Sequence, residues 1–428
     1  MSHTYKPTIV VAAYNREIPL KRILKSISSS VFPDKNINLV ISIDKSENDK
    51  VLEIANEFQW EWGQKKVIEH SKNLGLRSHI LKCGDLTEIY DSIILLEDDL
   101  YVSPYFYIYA QKALNFYSEE ERVAGISLYS HRYNETAFMR FTPLKDKHDS
   151  YFMQIPSSWG QAWSKKHWRS FRYWYDIHHT EKITSKDLVP PNVTLWPETS
   201  WKKYYFKYVI EENKYFVYPY RAFSTNCADV GTHHVDNRTC LQEPLEMLQS
   251  DYKFPEFGAS YIVYDSHCEL NDGSLKLISP DLASYDFEVD FYGTKDLNKV
   301  RKEFLITSKK FSGNPIRSFG RSFKPHEMNV VFGNEGSTFH LIRKEDAITE
   351  PFRMIDSTRN SYYYDIPEFL LLKSQGHIRS EDLISSDAKI LSGYHELMSL
   401  KRYNTYKLFQ FLITFEKSII KLFSSVKD

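Results

Sequence analysis

At 428 residues the chain is long enough for two or three domains, and an apolar content of 42% marks it as globular. Its 55 basic and 56 acidic side chains nearly cancel, so no net field points to nucleic acid as a partner. Cys83, Cys227, Cys240 and Cys268 lie far apart with no metal-ligand spacing, which fits reduced thiols in a cytoplasmic protein. The start, Met1 to Lys6, has no apolar signal core, and no run approaches the roughly 20 apolar residues of a spanning helix. The sequons at Asn134, Asn192 and Asn237 therefore read as accidental.

In chain order, Thr8 to Ala13 is a continuous apolar run, the pattern of a buried strand, and it ends in Tyr14-Asn15-Arg16. Leu20, Ile23, Leu24 and Ile27 then recur at helical spacing from about Pro19. A second strand, Asn38 to Ile43, ends in Asp44, and a polar loop caps a helix carrying Val51, Ile54, Ala55 and Phe58. Lys66 to Glu69 makes a short third strand, and Asn73-Leu74-Gly75 opens another helix. The fourth strand, Ser92 to Leu96, runs into Glu97-Asp98-Asp99, and Pro104 is expected to start the next helix. Val123 to Leu128 follows as a strand. Strands alternating with helices at this spacing predict an α/β fold with a mostly parallel sheet and right-handed crossovers.

Ligands of such sheets collect beyond the carboxyl ends of the strands, where the acidic triplet is expected. Strand alternation would send Glu97 and Asp99 to one side and Asp98 to the other. Adjacent carboxylates repel unless neutralised, and a hard divalent ion shared with phosphate oxygens suits them. No glycine-rich phosphate loop follows the first strand. An aromatic, a lone aspartate and an acidic triplet at one sheet edge instead suit a nucleotide held through a metal.

Ala12-Ala13-Tyr14-Asn15-Arg16, Ser42-Ile43-Asp44 and Leu96-Glu97-Asp98-Asp99-Leu100 with Ser103-Pro104 resemble nucleotide-sugar glycosyltransferases of the GT-A fold. The opening is similar to the family-2 enzymes. The Glu-Asp-Asp segment and the downstream tryptophans look closer to N-acetylglucosaminyltransferase I. The resemblance covers about residues 7–245 and implies a single-displacement transfer from a UDP-sugar, with Mn²⁺ or Mg²⁺ bridging the diphosphate. It implies Asp99 as the chief metal ligand and Asp98 near the ribose. Asp44 would read the uracil or ribose, with Tyr14 beside the base and Asn15 and Arg16 completing that edge. Arg77 would face the uridine or the diphosphate.

Tyr151 to Trp163 resembles the loop that closes over donor and acceptor sugars, although Trp163, Trp168 and Trp174 also read as core. An inverting transfer needs a base for the acceptor hydroxyl proton. The resemblance implies Glu198, in Trp196-Pro197-Glu198-Thr199-Ser200-Trp201, for that role, with Asp176 as the alternative. Glu198 stands where an aspartate is commoner, and Pro197-Glu198 is also a good first helical turn. Gly231-Thr232-His233 resembles a family-2 element whose histidine reaches the metal, which makes His233 a further candidate ligand.

The expected organisation is a GT-A catalytic domain over 1–262, with a nucleotide-sugar half over about 1–130 and an acceptor half over about 131–262. A mixed, largely helical accessory region over 263–428 follows. Asn271-Asp272-Gly273 and Gly333 to Gly336 read as turns between short strands, and the pattern becomes helical from Ile366. The tail from about Tyr403, with Lys407, Lys417, Lys421 and Lys427 among apolar residues, suits either a peripheral membrane helix or one packed on the catalytic domain.

The resulting expectation is a cytoplasmic, inverting, metal-dependent transferase using UDP-GlcNAc or a related UDP-hexose. Its acceptor would be a saccharide or lipid-linked saccharide in surface polysaccharide synthesis. The rivals are a sugar nucleotidyltransferase, which would want a basic glycine-rich loop after the first strand, and a non-catalytic sugar-binding protein of the same fold.

Overall fold

The computed structural model describes residues 4–137, 139–229 and 241–349. The first half alternates as its apolar periodicity dictates: β1 (Thr8–Ala13), α1 (Glu17–Ser28), β2 (Leu39–Ile43), α2 (Asp49–Glu57), β3 (Lys65–Glu69) and α3 (Gly75–Asp85). There follow α4 (Thr87–Tyr90), β4 (Ser92–Glu97), β5 (Leu100–Val102), α5 (Phe106–Phe116) and β6 (Val123–Ser127). Three more helices matter to the site: α6 (Lys165–His178), α7 (Pro191–Thr194) and α8 (Trp201–Glu211).

A nine-stranded sheet runs Val263–Tyr264, Ser150–Met153, Tyr215–Pro219, β6, Gln161–Ser164, β4, β1, β2, β3. The pairs joining β4, β1, β2 and β3 are parallel, as are those of β6 with Tyr215–Pro219 and of Ser150–Met153 with Val263–Tyr264. The strand Gln161–Ser164 is antiparallel to both β4 and β6 and fills the gap between them. It carries no apolar run, so the sequence pattern did not announce it.

Each face of the sheet is covered by a different core. On one, Ile9, Val11, Ile94 and Leu96 pack with Leu20, Ile23, Val51 and Phe106. On the other, Trp163 and Trp168 lie 4.6 Å apart and Phe171 stacks on Tyr205 at 4.1 Å. Trp163, Trp168 and Trp174 are all buried there, and Trp168 and Trp174 donate to Asp85 and Glu211 at 2.8 and 3.1 Å. Their place is the core, where large aromatics contribute most through buried area.

Residues up to 136 together with 140–349 form one compact unit. A boundary at 262/263 therefore falls at a strand of the main sheet itself. Beyond it lies a four-stranded sheet of Phe287–Asp290, Phe304–Thr307, Phe339–Arg343 and Arg317–Phe319. Buried Lys295 anchors it through Asp265 at 2.6 Å and Glu288 at 2.9 Å.

Two local expectations need correction. Asn271 caps the helix Asp272–Ile278, its side chain accepting from Ser274 N at 2.7 Å, so Asn271-Asp272-Gly273 opens a helix rather than a turn. The helix after β5 begins at Phe106, because Pro104 and Tyr105 form the turn before it. The helical pattern from Ile366 and the basic tail lie outside the described residues, as does His233. Among the described residues no helix is long and apolar enough to cross a membrane.

Candidate active site

The C-terminal ends of β1, β2 and β4 converge. Asp98 N donates to Ala12 O at 3.1 Å and Asp44 N to Ala13 O at 3.0 Å, so the residues after the three strands share one edge. Strand alternation stops at Glu97, since Asp98 and Asp99 occupy the turn between β4 and β5. Both carboxylates consequently reach the same partner. Arg16 Nη2 bonds Asp98 Oδ1 and lies 3.3 Å from Asp99 Oδ2, with the Arg16 side chain 25% exposed. This replaces the opposed orientation that strand geometry predicts.

The pair is buried, and its remaining oxygens, Asp98 Oδ2 and Asp99 Oδ1, have no hydrogen-bond partner among the described residues. Burial is the largest influence on Asp98 and lifts its carboxyl to about 6, although the Arg16 charge pulls the other way. Burial, and then the charges of Asp99 and Asp98, lift the Glu97 carboxyl to about 8. Burial also works against the charge on Arg16, but the two aspartates beside it shift it upward overall. One free, hard oxygen on each of two adjacent carboxylates fits Mg²⁺ or Mn²⁺, which take one or two carboxylates and complete their shell with phosphate oxygens and water. Among the described residues no group of three His, Cys, Asp or Glu side chains could hold an ion by itself.

Asp44 is buried and bound to backbone. Its Oδ1 accepts from Leu74 N at 2.8 Å and Lys45 N at 2.9 Å, and its Oδ2 from Gly75 N at 3.0 Å. Gly75 has φ +74°, a conformation glycine adopts without strain, and this bends the chain so that two successive N–H groups face one carboxylate. Tyr14 is 40% exposed at the mouth, its hydroxyl accepting from Asn73 Nδ2 at 3.1 Å. The Asn15 carbonyl accepts from Asn48 Nδ2 at 3.1 Å.

A second group forms on the α8 side. Arg77 lies 5.1 Å from the centre of the Tyr204 ring, and Tyr204 donates to Glu198 Oε2 at 3.3 Å. Glu198 Oε1 accepts from Lys203 Nζ at 2.7 Å, and Arg77 Nη1 is buried with no partner among the described residues. Arg77 and Glu198, 121 positions apart by their numbers, are thus joined through one tyrosine. Lys202 lies 5.6 Å from the Trp159 ring and 5.3 Å from that of Trp196, and its charge acts to lower the Glu97 carboxyl. Asp176 stands apart: it is on the exposed side of α6 and pairs with Arg172 at 3.4 Å.

Residues 8–191 match the sequence profile of glycosyl transferase family 2. Over that stretch the chain is similar to the family-2 glycosyltransferases. The matched stretch holds Tyr14, Asn15, Arg16, Asp44, Arg77, Asp98, Asp99 and Asp176, and ends before Glu198. Solved structures similar to the chain include Staphylococcus aureus TarS 1-349 in complex with UDP-GlcNAc, at 14% identity and a TM-score of 0.35, covering 53% of this chain and 60% of that one. The mannosyltransferase PcManGT from Pyrobaculum calidifontis, in complex with GDP-Man and Mn²⁺, matches at 13% and 0.30 over 40% and 47% of the two chains. GalNAc-T7 with UDP, GalNAc and Mn²⁺ matches at 12% and 0.33 over 50% and 42%. The chain thus spans less than two thirds of each of these structures. No curated protein sequence matches it.

Sequence reasoning passed over part of the candidate site. Asp229 accepts from Arg22 Nη1 at 3.0 Å and its charge acts on Asp98. It arrives because the strand Ser224–Asn226 pairs antiparallel with β5, after which Cys227 N donates to Asp99 O at 2.9 Å. Its one sequence signal was an aspartate lying between Ser224-Thr225-Asn226 and Gly231-Thr232-His233.

Proposed function

We propose that this glycosyltransferase is metal-dependent and inverting. It moves GlcNAc or a related hexose from a UDP-sugar to a saccharide or lipid-linked saccharide acceptor in surface polysaccharide synthesis. The observation that carries the reading is the Asp98–Asp99 pair: two adjacent buried carboxylates, each with one free oxygen, at the strand ends where α/β sheets bind ligands. Asp99 is the chief ligand for Mn²⁺ or Mg²⁺, Asp98 lies toward the ribose, and His233 adds a ligand. Such an ion, when bound, neutralises the diphosphate and stabilises the charge of the leaving group.

The remaining roles belong to this chain's own side chains. Tyr14 offers a ring at the mouth for the base, with Asn15 and Arg16 beside it. Asp44 holds the start of α3 through three backbone bonds and reads the uracil or ribose with its remaining lone pairs. Arg77 brings an unpaired N–H toward the uridine or diphosphate. Glu198 takes the acceptor hydroxyl proton. Its hydrogen bond to Tyr204, whose ring carries Arg77, favours it over Asp176, which lies on the exposed side of α6 and pairs with Arg172 of the same helix.

The catalytic residues are assigned to the stretch 1–262, and the accessory role to the stretch 263–428, whose first strand completes the main sheet. The enzyme works in the cytoplasm, with the basic tail contacting the inner face of the membrane. Thermal stabilisation by a panel of nucleotides, with and without Mn²⁺, tests the donor assignment. UDP and UDP-sugars should stabilise only in the presence of the ion, whereas stabilisation by another nucleotide alone, or by UDP equally without the ion, would overturn it.

A further inference from the structure

Arg16 sits where a divalent cation would be wanted. Its guanidinium takes one oxygen from each of Asp98 and Asp99, and the other two oxygens are closed to solvent. The aspartates are held in place by backbone, through Asp98 N on Ala12 O and Asp99 O on Cys227 N. Arg16 is held by little else. It is the residue before α1, in extended conformation, and its side chain makes no cap to that helix. It is also the most exposed member of the trio, at 25% against 4% and 12% for the aspartate side chains.

Resting on the metal-site reading, we propose that Arg16 is the resident counter-cation of the Asp98–Asp99 pair and that a divalent ion and Arg16 are alternative occupants. An ion on the free oxygens would lie within a few ångströms of a positive guanidinium on the same carboxylates, and that repulsion is substantial in a buried site. An ion therefore enters as Arg16 swings toward solvent. The exchange keeps the acid pair neutralised at every stage and makes the ion-free protein a poor metal binder. Ion affinity is then set by Arg16, and the donor's diphosphate offers the displaced guanidinium a new partner at the mouth.

The opposite role is equally concrete. An arginine that stays in place and orients two ligating carboxylates strengthens metal binding, as outer-shell partners commonly do. The two roles predict opposite signs. Mn²⁺ alone is titrated into the full chain without nucleotide, by calorimetry and by the electron paramagnetic resonance signal of free Mn²⁺. Arg16→Gln should bind Mn²⁺ about tenfold or more tightly than wild type, because the competing charge is gone. Arg16→Lys, which retains a cation but loses the planar fork, should tighten by less. Unchanged or weaker affinity in Arg16→Gln overturns the proposal, and in Arg16→Lys weaker affinity does so even where the glutamine variant fails to fold. Asp99→Asn separates the underlying reading. If it binds Mn²⁺ with UDP as wild type does, the metal site itself is wrong. If it loses that binding while Arg16→Gln does not tighten, only the role of Arg16 falls.

Discussion

Lys203 Nζ lies 2.7 Å from Glu198 Oε1, and the lysine side chain is 1% exposed while that of the glutamate is 47% exposed. The same ammonium donates to the carbonyls of Thr194 and Trp196 at 3.2 and 2.9 Å, so one buried cation ties down the whole approach to α8. Lys203→Met leaves two carbonyls without this donor and Glu198 with only the Tyr204 hydroxyl. We expect a loss of about 1–3 kcal/mol in chemical denaturation, the range for unsatisfied buried groups. A variant as stable as wild type would show that the ammonium is not needed there.

Turnover tests the base that this lysine positions. Glu198→Gln keeps the shape of the side chain but cannot take a proton, and general-base assistance is worth about 10²–10⁴-fold. A fall of that size, with UDP-sugar affinity little changed, is expected. Asp176→Asn should be much milder, since Asp176 is on the exposed side of α6. The reverse ranking would move the base to Asp176.

The contrast between these carboxylates illustrates what a sequence carries. β1, β2 and β4 were legible because Thr8 to Ala13, Leu39 to Ile43 and Ser92 to Leu96 are continuous apolar runs buried on both faces. Their polar ends, Tyr14 to Arg16, Asp44 and Glu97 to Asp99, followed directly, because a parallel sheet puts strand ends together. What stayed hidden depends on pairing between distant segments. Gln161–Ser164 finds its place only between β4 and β6, and Asp229 comes close enough to act on Asp98 only because Ser224–Asn226 pairs with β5. Local periodicity encodes neither. The turn at Asp98–Asp99 was hidden for another reason: a strand pattern does not reveal where the strand stops.

Asp44 should matter to stability as well as to the donor. Its carboxylate accepts three backbone N–H groups, from Lys45, Leu74 and Gly75. Asp44→Ala removes all three charge-assisted bonds, and we expect a loss on the order of 2–4 kcal/mol in addition to weakened donor binding. Weakened binding with unchanged stability would assign Asp44 to the nucleotide alone.

Acid should act through His79. Its Nε2 is 2.9 Å from Ser42 Oγ, which also lies 3.1 Å from His70 Nε2, and a hydroxyl with one proton can donate to only one of the two rings. Burial holds His79 down to about 4 against an ordinary 6.5, with the Asp44 charge opposing. Between those pH values the unfolded chain binds the extra proton and the folded chain does not. Folding stability therefore falls as the pH drops through that window, by on the order of 3 kcal/mol from this residue. Melting temperatures of wild type and His79→Leu, measured from pH 7 to pH 4, should show a shallower slope in the variant. Parallel slopes would mean that His79 takes up its proton in the folded protein as it does in the unfolded chain.

The central claim is that Asp99 holds a divalent ion for the donor diphosphate, and calorimetric titration of UDP into the full chain tests it most directly. Wild type should bind UDP with Mn²⁺ present and lose most of that affinity under chelation. Asp99→Asn should bind weakly in both conditions while melting no lower than wild type, because the change removes charge from a buried acidic cluster. Equal UDP affinity in wild type and Asp99→Asn, each with saturating Mn²⁺, would contradict the account.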